Sequence, residues 1–215
     1  MKKTFLLSCL MLAAMPVMAA YTGHVYVDKN KNGVFDQSEK PLAGIKVSDG
    51  LNVVETAADG SFTLPGHERE RFIFITTPSG YKTFNRHYHK IEKKQSGYDF
   101  GLIPYSGRIR KDGSHRYIHI TDTEIFNTEN HADWVNNVHD YARNEQAAFI
   151  IHTGDICYEK GLKAHIKLMN TENMDCPVFY CIGNHDLVKG KYGEELFESI
   201  YGPVYYSFDA GNVHY

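Results

Sequence analysis

Three short polar clusters, each following an apolar run, hold the residues best suited to chemistry. Val178 through Ile182 lead into Gly183-Asn184-His185-Asp186, Ala148 through Ile151 into His152-Thr153-Gly154-Asp155, and Tyr117 through Ile120 into Thr121-Asp122-Thr123-Glu124. Carboxylates gathered without basic partners repel one another unless a cation lies between them. Asp122, Glu124, Asp155 and the Asn184 carbonyl oxygen, with His185 alongside, make the donor set that a pair of divalent or trivalent metal ions requires. Two such ions about 3.5–4 Å apart share a bridging carboxylate and a hydroxide, lower the pKa of the water and aim it at phosphorus. Asp155, in the middle cluster, is the natural bridge.

The elements that position these groups follow from the apolar runs themselves. A run of this length bounded by Pro177 and a glycine reads as a buried strand. Asp122 and Asp155 stand 33 positions apart, and Asp155 and Asn184 stand 29 apart. Each interval is about the length of one strand, crossover helix and strand. Crossovers make neighbouring strands parallel, and open α/β sheets bind ligands beyond the carboxyl ends of their strands. All three clusters are therefore expected on one rim.

Helical spacing supplies the crossovers. Trp134, Val135, Val138, Tyr141 and Ala142 mark one helix, Leu162, Ile166 and Met169 a second, and Tyr192, Leu196, Phe197 and Ile200 a third that ends near Gly202-Pro203. These apolar stripes are read as core. His119 and His152 alternate with core positions and are read as supporting histidines rather than ligands. The competing reading is a Rossmann-like sheet whose strand ends are polar only because they meet solvent. It accounts for one Gly-Asp pair but not for three clusters at crossover spacing. Val204 to Phe208 and the residues after Gly211 read as an unfinished hairpin, so the natural protein is expected to continue past Tyr215.

Residues 21–105 show a different period, with short strands separated by turn dipeptides such as Asp49-Gly50 and Asp59-Gly60. This predicts a small all-β, immunoglobulin-like sandwich, joined through a linker at 106–114 to an α/β unit over 115–215. Asp28-Lys29-Asn30-Lys31-Asn32-Gly33, continuing through Asp36 to Glu39, fits the twelve-position calcium-loop pattern. Asp28, Asn30, Asn32, Asp36 and Glu39 are its candidate oxygen donors; a solvated polar turn is the alternative, because strands and Pro41 flank it instead of helices. Arg86-His87-Tyr88-His89 is expected to be an exposed polar strand edge.

Composition narrows the function class. A formal net charge of −3 with scattered basic residues gives no electrostatic signal for nucleic acid or an anionic membrane surface. Residues 1–20, with Lys2-Lys3, an apolar core and Ala19-Ala20, have the layout of a cleavable signal. The expected location is periplasmic or extracellular, with no transmembrane segment after cleavage. Three cysteines remain in the mature chain, and Cys176 and Cys181, placed on one strand roughly 16 Å apart, cannot pair. They are read, with Cys157, as core filler.

Asp122-Thr123-Glu124, Gly154-Asp155 and Gly183-Asn184-His185-Asp186, with Tyr201-Gly202-Pro203 downstream, resemble the calcineurin-like metallophosphoesterases from about His115 onward. The resemblance implies that Asp122 binds a first metal, Asp155 bridges and Asn184 binds the second, the ions being manganese, iron or zinc and the substrate a phosphate ester. It implies that His185 protonates the leaving alkoxide or stabilises the transition state, with Asp186 orienting it. The sandwich is similar to the amino-terminal domain of some exported bacterial members. In this family the first motif usually ends in histidine, where this chain has Glu124, a carboxylate that also binds hard metals. Further histidine ligands are expected from segments beyond Tyr215. Gly154-Asp155-Ile156-Cys157-Tyr158 also resembles the purple acid phosphatase version, which makes Tyr158 a candidate ligand. The rival reading is a catalytically impaired binding module that works through the sandwich.

Overall fold

The computed structural model describes residues 20–84, 86–126 and 129–215. The expected signal segment lies outside these residues apart from Ala20, which already belongs to the first strand. The amino-terminal half contains β1 (Ala20–Val27), β2 (Lys40–Pro41), β3 (Lys46–Ser48), β4 (Val53–Glu55), β5 (Ser61–Pro65), β6 (Phe72–Ile75), β7 (Tyr81–Thr83), β8 (Tyr88–Lys90) and β9 (Phe100–Pro104). One sheet runs β2-β1-β9-β7 with β5 also paired to β1, and a second runs β4-β3-β6-β8. Alternation makes this arrangement work: Tyr21 and Val25 of β1, Phe62 and Leu64 of β5, and Phe100 and Leu102 of β9 turn inward onto Val47, Ile73 and Ile75 of the other sheet. The two sheets thus share one apolar core. β1 and β9 run parallel, while the other pairings are antiparallel.

The second half is built as crossovers. β10 (Tyr117–Ile120), α1 (His131–Asn144), β11 (Phe149–His152), α2 (Tyr158–Leu168) and β12 (Val178–Tyr180) follow in order. The strands form a parallel sheet in the order β10-β11-β12, as the spacing predicted. A 3-10 turn (Asn184–Asp186), α3 (Glu195–Tyr201) and the short hairpin of β13 (Asp209–Ala210) and β14 (Val213–His214) complete it. Val135, Ala142, Ile150, Leu162, Met169, Val178 and Phe197 lie in its main core. Among the described residues no helix is long and apolar enough to cross a membrane.

Several expectations change in detail. Tyr141 is exposed, because it sits on the solvent edge of a stripe centred on Val135 and Ala142. Tyr192 is also exposed and precedes α3, its amide tied to the Glu195 carboxylate at 3.0 Å in the turn that opens the helix. Cys176 and Cys181 both lie outside the three residues of β12, and with Cys157 they are free thiols.

The two halves are joined by direct contacts. Thr77 and Phe208 form a parallel bridge, the Asp209 amide donates to the Thr77 carbonyl at 2.8 Å, and Arg71 reaches Glu198 at 2.9 Å. The His87 ring lies 4.2 Å from the Tyr206 ring, whose hydroxyl takes the Tyr180 amide at 2.7 Å. His87 was expected on an open edge; instead it occupies this seam, where burial lowers its pKa to about 3.

Candidate metal centre

The three clusters leave the carboxyl ends of β10, β11 and β12 and pair with one another beyond the sheet. The Asp122 amide donates to the Gly154 carbonyl at 3.1 Å, Glu124 to Asp155 at 2.9 Å and Ile125 to Ile156 at 2.8 Å. These bonds hold a run of unusual backbone: φ is 53° at Asp122, 42° at Glu124, 50° at Asp155, 83° at Cys157 and 46° at Tyr158. Such conformations cost non-glycine residues on the order of 1 kcal/mol each and persist where surrounding contacts fix them. Here they turn side chains out of the strand direction and over the rim.

The third loop is fastened to the second by close approach. A Cβ on Gly183 would lie 2.1 Å from Asp155 Oδ1, and one on Gly154 would lie 2.4 Å from the Gly183 nitrogen. Only glycine allows the two backbones so near. The His185 amide then donates to Asp155 Oδ1 at 3.0 Å. Asp186, 0 % exposed, receives the Cys157 amide at 2.8 Å and the Gly183 amide at 2.9 Å. Burial raises its carboxyl pKa, and those same amides pull it back down. Its contacts bind two loops together beneath the rim.

Ligand atoms of Glu124, Cys157 and His185 all lie within 4.8 Å of one another. His185 Nδ1 is 3.2 Å from Glu124 Oε1, 3.9 Å from Asp155 Oδ2 and 3.7 Å from Cys157 Sγ. Among the described residues, His185 is the basic group within ion-pair reach of these two carboxylates. Oxygen, nitrogen and sulfur donors around an excess of negative charge fit a divalent cation. The site residues therefore suit a metal.

The other predicted residues follow the same strand ends but lie outside the group formed by Glu124, Cys157 and His185. Asp122 is exposed and accepts the Thr121 hydroxyl at 2.5 Å, and Asn184 is exposed as the first residue of the 3-10 turn. Tyr158 opens α2, its ring 6.4 Å from the His185 imidazole and tilted 7° from it, with the Phe126 ring 5.3 Å away. His152 is fully buried and touches Thr123 Oγ1 through Nε2 at 3.0 Å, supporting the first loop from below. Burial lowers its pKa to about 4. His119 meets the Thr153 hydroxyl at 2.7 Å.

Cys157 is the residue that the sequence reading missed. It was assigned to the core, and it is indeed buried, yet its sulfur faces Glu124 and His185. Its position two residues past Asp155 was the available signal. Burial first, then Glu124, Asp186 and Asp155, push its thiol pKa up to about 11.

A parallel strand–helix sheet with an acid-, thiol- and histidine-lined carboxyl rim makes this half an α/β unit whose rim suits a metal ion. The chain matches the family described as N terminal of Calcineurin-like phosphoesterase over residues 29–104, and Calcineurin-like phosphoesterase over residues 115–213. It belongs to the calcineurin-like metallophosphoesterases. The family suggests metal-dependent phosphoester hydrolysis and typically binds divalent metals. A comparison with curated proteins yields no match.

Proposed function

We propose that this protein hydrolyses phosphate esters at the rim of β10–β12, using a dinuclear metal centre. The observation that carries the reading is the meeting of Glu124, Asp155, Cys157 and His185 from two βα loops and the 3-10 turn. Asp122, Glu124, Asp155 and Asn184 would hold the ions, and Tyr158 is a further candidate on the same rim. When bound, the metals supply a water of lowered pKa as nucleophile and neutralise charge on the phosphoryl oxygens.

The protein's own groups do the positioning. Asp155 fixes the His185 backbone, and Asp186 fixes the loop that carries it, so the main chain bearing the imidazole is held at the rim. His185 is the proton donor to the leaving alkoxide in this reading, and Glu124 sets the facing of its Nδ1. Export, and an immunoglobulin-like identity for the strand-rich half, belong to the same proposal and rest on the sequence.

The test is hydrolysis of aryl phosphate mono- and diesters by the full chain with manganese, zinc or iron added. Activity abolished by a chelator, restored by metal, and lost in Asn184→Ala and His185→Ala supports the hydrolase. A folded protein that binds no metal and turns over no ester supports the rival binding module.

A further inference from the structure

Away from the rim, one loop of the amino-terminal half gathers carboxylate and amide groups. Between β1 and β2 the chain folds Asp28–Glu39 into a loop in which Asp28 and Glu39 turn inward, while the less buried Asp36 accepts the Asn30 side-chain amide at 3.1 Å and the Ser38 hydroxyl at 2.6 Å. Asp28 is 1 % exposed and Glu39 6 % exposed. Asp28 accepts the Asn32 amide at 3.2 Å and the Gly33 amide at 2.9 Å, while Glu39 accepts the Lys29 amide at 2.9 Å and the Asp36 amide at 3.3 Å. Among the described residues neither acid forms an ion pair with a lysine or arginine. Two buried carboxylates without a cation repel each other, and amide bonds satisfy only part of their acceptor capacity.

An independent observation points into the same place. Tyr26, on the adjoining strand, is 0 % exposed, and its hydroxyl has no hydrogen-bond partner. That hydroxyl and Asp28 Oδ2 both stand over Gly101 of β9, where a Cβ would be 3.2 Å from the first and 3.0 Å from the second. The charges of Asp28 and then Glu39 help hold the phenol protonated, after the larger effect of burial. Leaving a buried hydroxyl unpaired costs about 1–3 kcal/mol, so a polar neighbour is expected there.

We propose that Asp28, Asn30, Asn32, Asp36 and Glu39, with the Val34 carbonyl, bind one calcium ion, and that the Tyr26 hydroxyl donates to its coordination shell. The order of donors is that of a twelve-residue calcium loop: side-chain oxygens at positions one, three, five, nine and twelve, a main-chain oxygen at seven and glycine at six. Gly33 supplies the turn with φ of 71°. Strands replace the usual flanking helices, and this sets what the ion does. The Asp28 amide donates to the Leu102 carbonyl of β9 at 2.9 Å, so calcium would clip β2 to the β1–β9 pair at the edge of the sheet. The role is structural and independent of the phosphoesterase reading.

The experiment is calorimetric titration of the chelator-treated full chain with calcium chloride, paired with thermal unfolding in calcium and in chelator. The expected result is saturable binding at one site per chain and a higher unfolding midpoint in calcium. Both should vanish in Asp36→Asn/Glu39→Gln and survive in Asp155→Asn, which separates this loop from the rim. Asn30→Ala, an exposed change that leaves the buried acids in place, should weaken calcium binding about tenfold and guards against misfolding of the double variant. No calcium binding at millimolar concentration would overturn the proposal, as would binding that survives in both loop variants or disappears in Asp155→Asn.

Discussion

The His185 amide donates to Asp155 Oδ1 across 3.0 Å, which fastens the loop after β12 to the loop after β11. The contact requires a glycine at position 183, since a Cβ there would fall 2.1 Å from the accepting oxygen. Gly183→Ala is therefore expected to lower kcat/KM for an aryl phosphate by about a hundredfold through misplacement of His185. Circular dichroism should show an intact fold. Wild-type turnover in the folded variant would contradict this coupling.

Asp186 is a stability residue in this arrangement. Replacing it with alanine strands the Cys157 and Gly183 amides in a buried setting. The expected loss is about 3 kcal/mol of unfolding free energy by urea denaturation. A loss under about 0.5 kcal/mol, the size usual for a surface change, would show that the two loops are held by other contacts.

Acid should loosen the rim from beneath. His152 has a folded pKa of about 4 against an ordinary 6.5, so between these values the unfolded chain binds more protons than the folded one. Stability then rises with pH across that window and falls as pH drops from 6.5 toward 4. The contribution of this one group is roughly 3 kcal/mol. His152→Gln should flatten that part of the stability–pH curve; an unchanged slope would argue that His152 does not report the acid sensitivity.

The sheet was legible because period and spacing express backbone geometry directly: three apolar runs at crossover intervals yield a parallel βαβαβ unit and leave Asp122, Asp155 and Asn184 at the strand ends. What pattern could not show was where side chains turn after the strands stop. The left-handed residues from Asp122 to Tyr158 depend on bonds between loops, and these bring the Cys157 sulfur toward Glu124 while sending Asp186 inward. The seam between the halves was equally hidden, because His87 and Tyr206 meet through tertiary packing with no local signature.

Glu124 occupies the position where the family's first motif usually has histidine, and its Oε1 lies 3.2 Å from His185 Nδ1. A carboxylate favours harder ions than imidazole does. Glu124→His should raise the ratio of zinc-supported to manganese-supported hydrolysis, measured at equal metal loading. An unchanged ratio would remove Glu124 from the ligand set.

The most direct test joins metal content to turnover in Asp155→Asn, which keeps an acceptor for the His185 amide while deleting the charge. The wild-type full chain, loaded with manganese and desalted, should retain metal by mass spectrometry and hydrolyse an aryl phosphate. The folded variant should lose at least about a hundredfold in metal affinity, beyond the 10- to 100-fold typical of residues that merely support ligands, and lose hydrolysis with it. Equal metal content and equal turnover in the two proteins would contradict a catalytic metal centre at this rim.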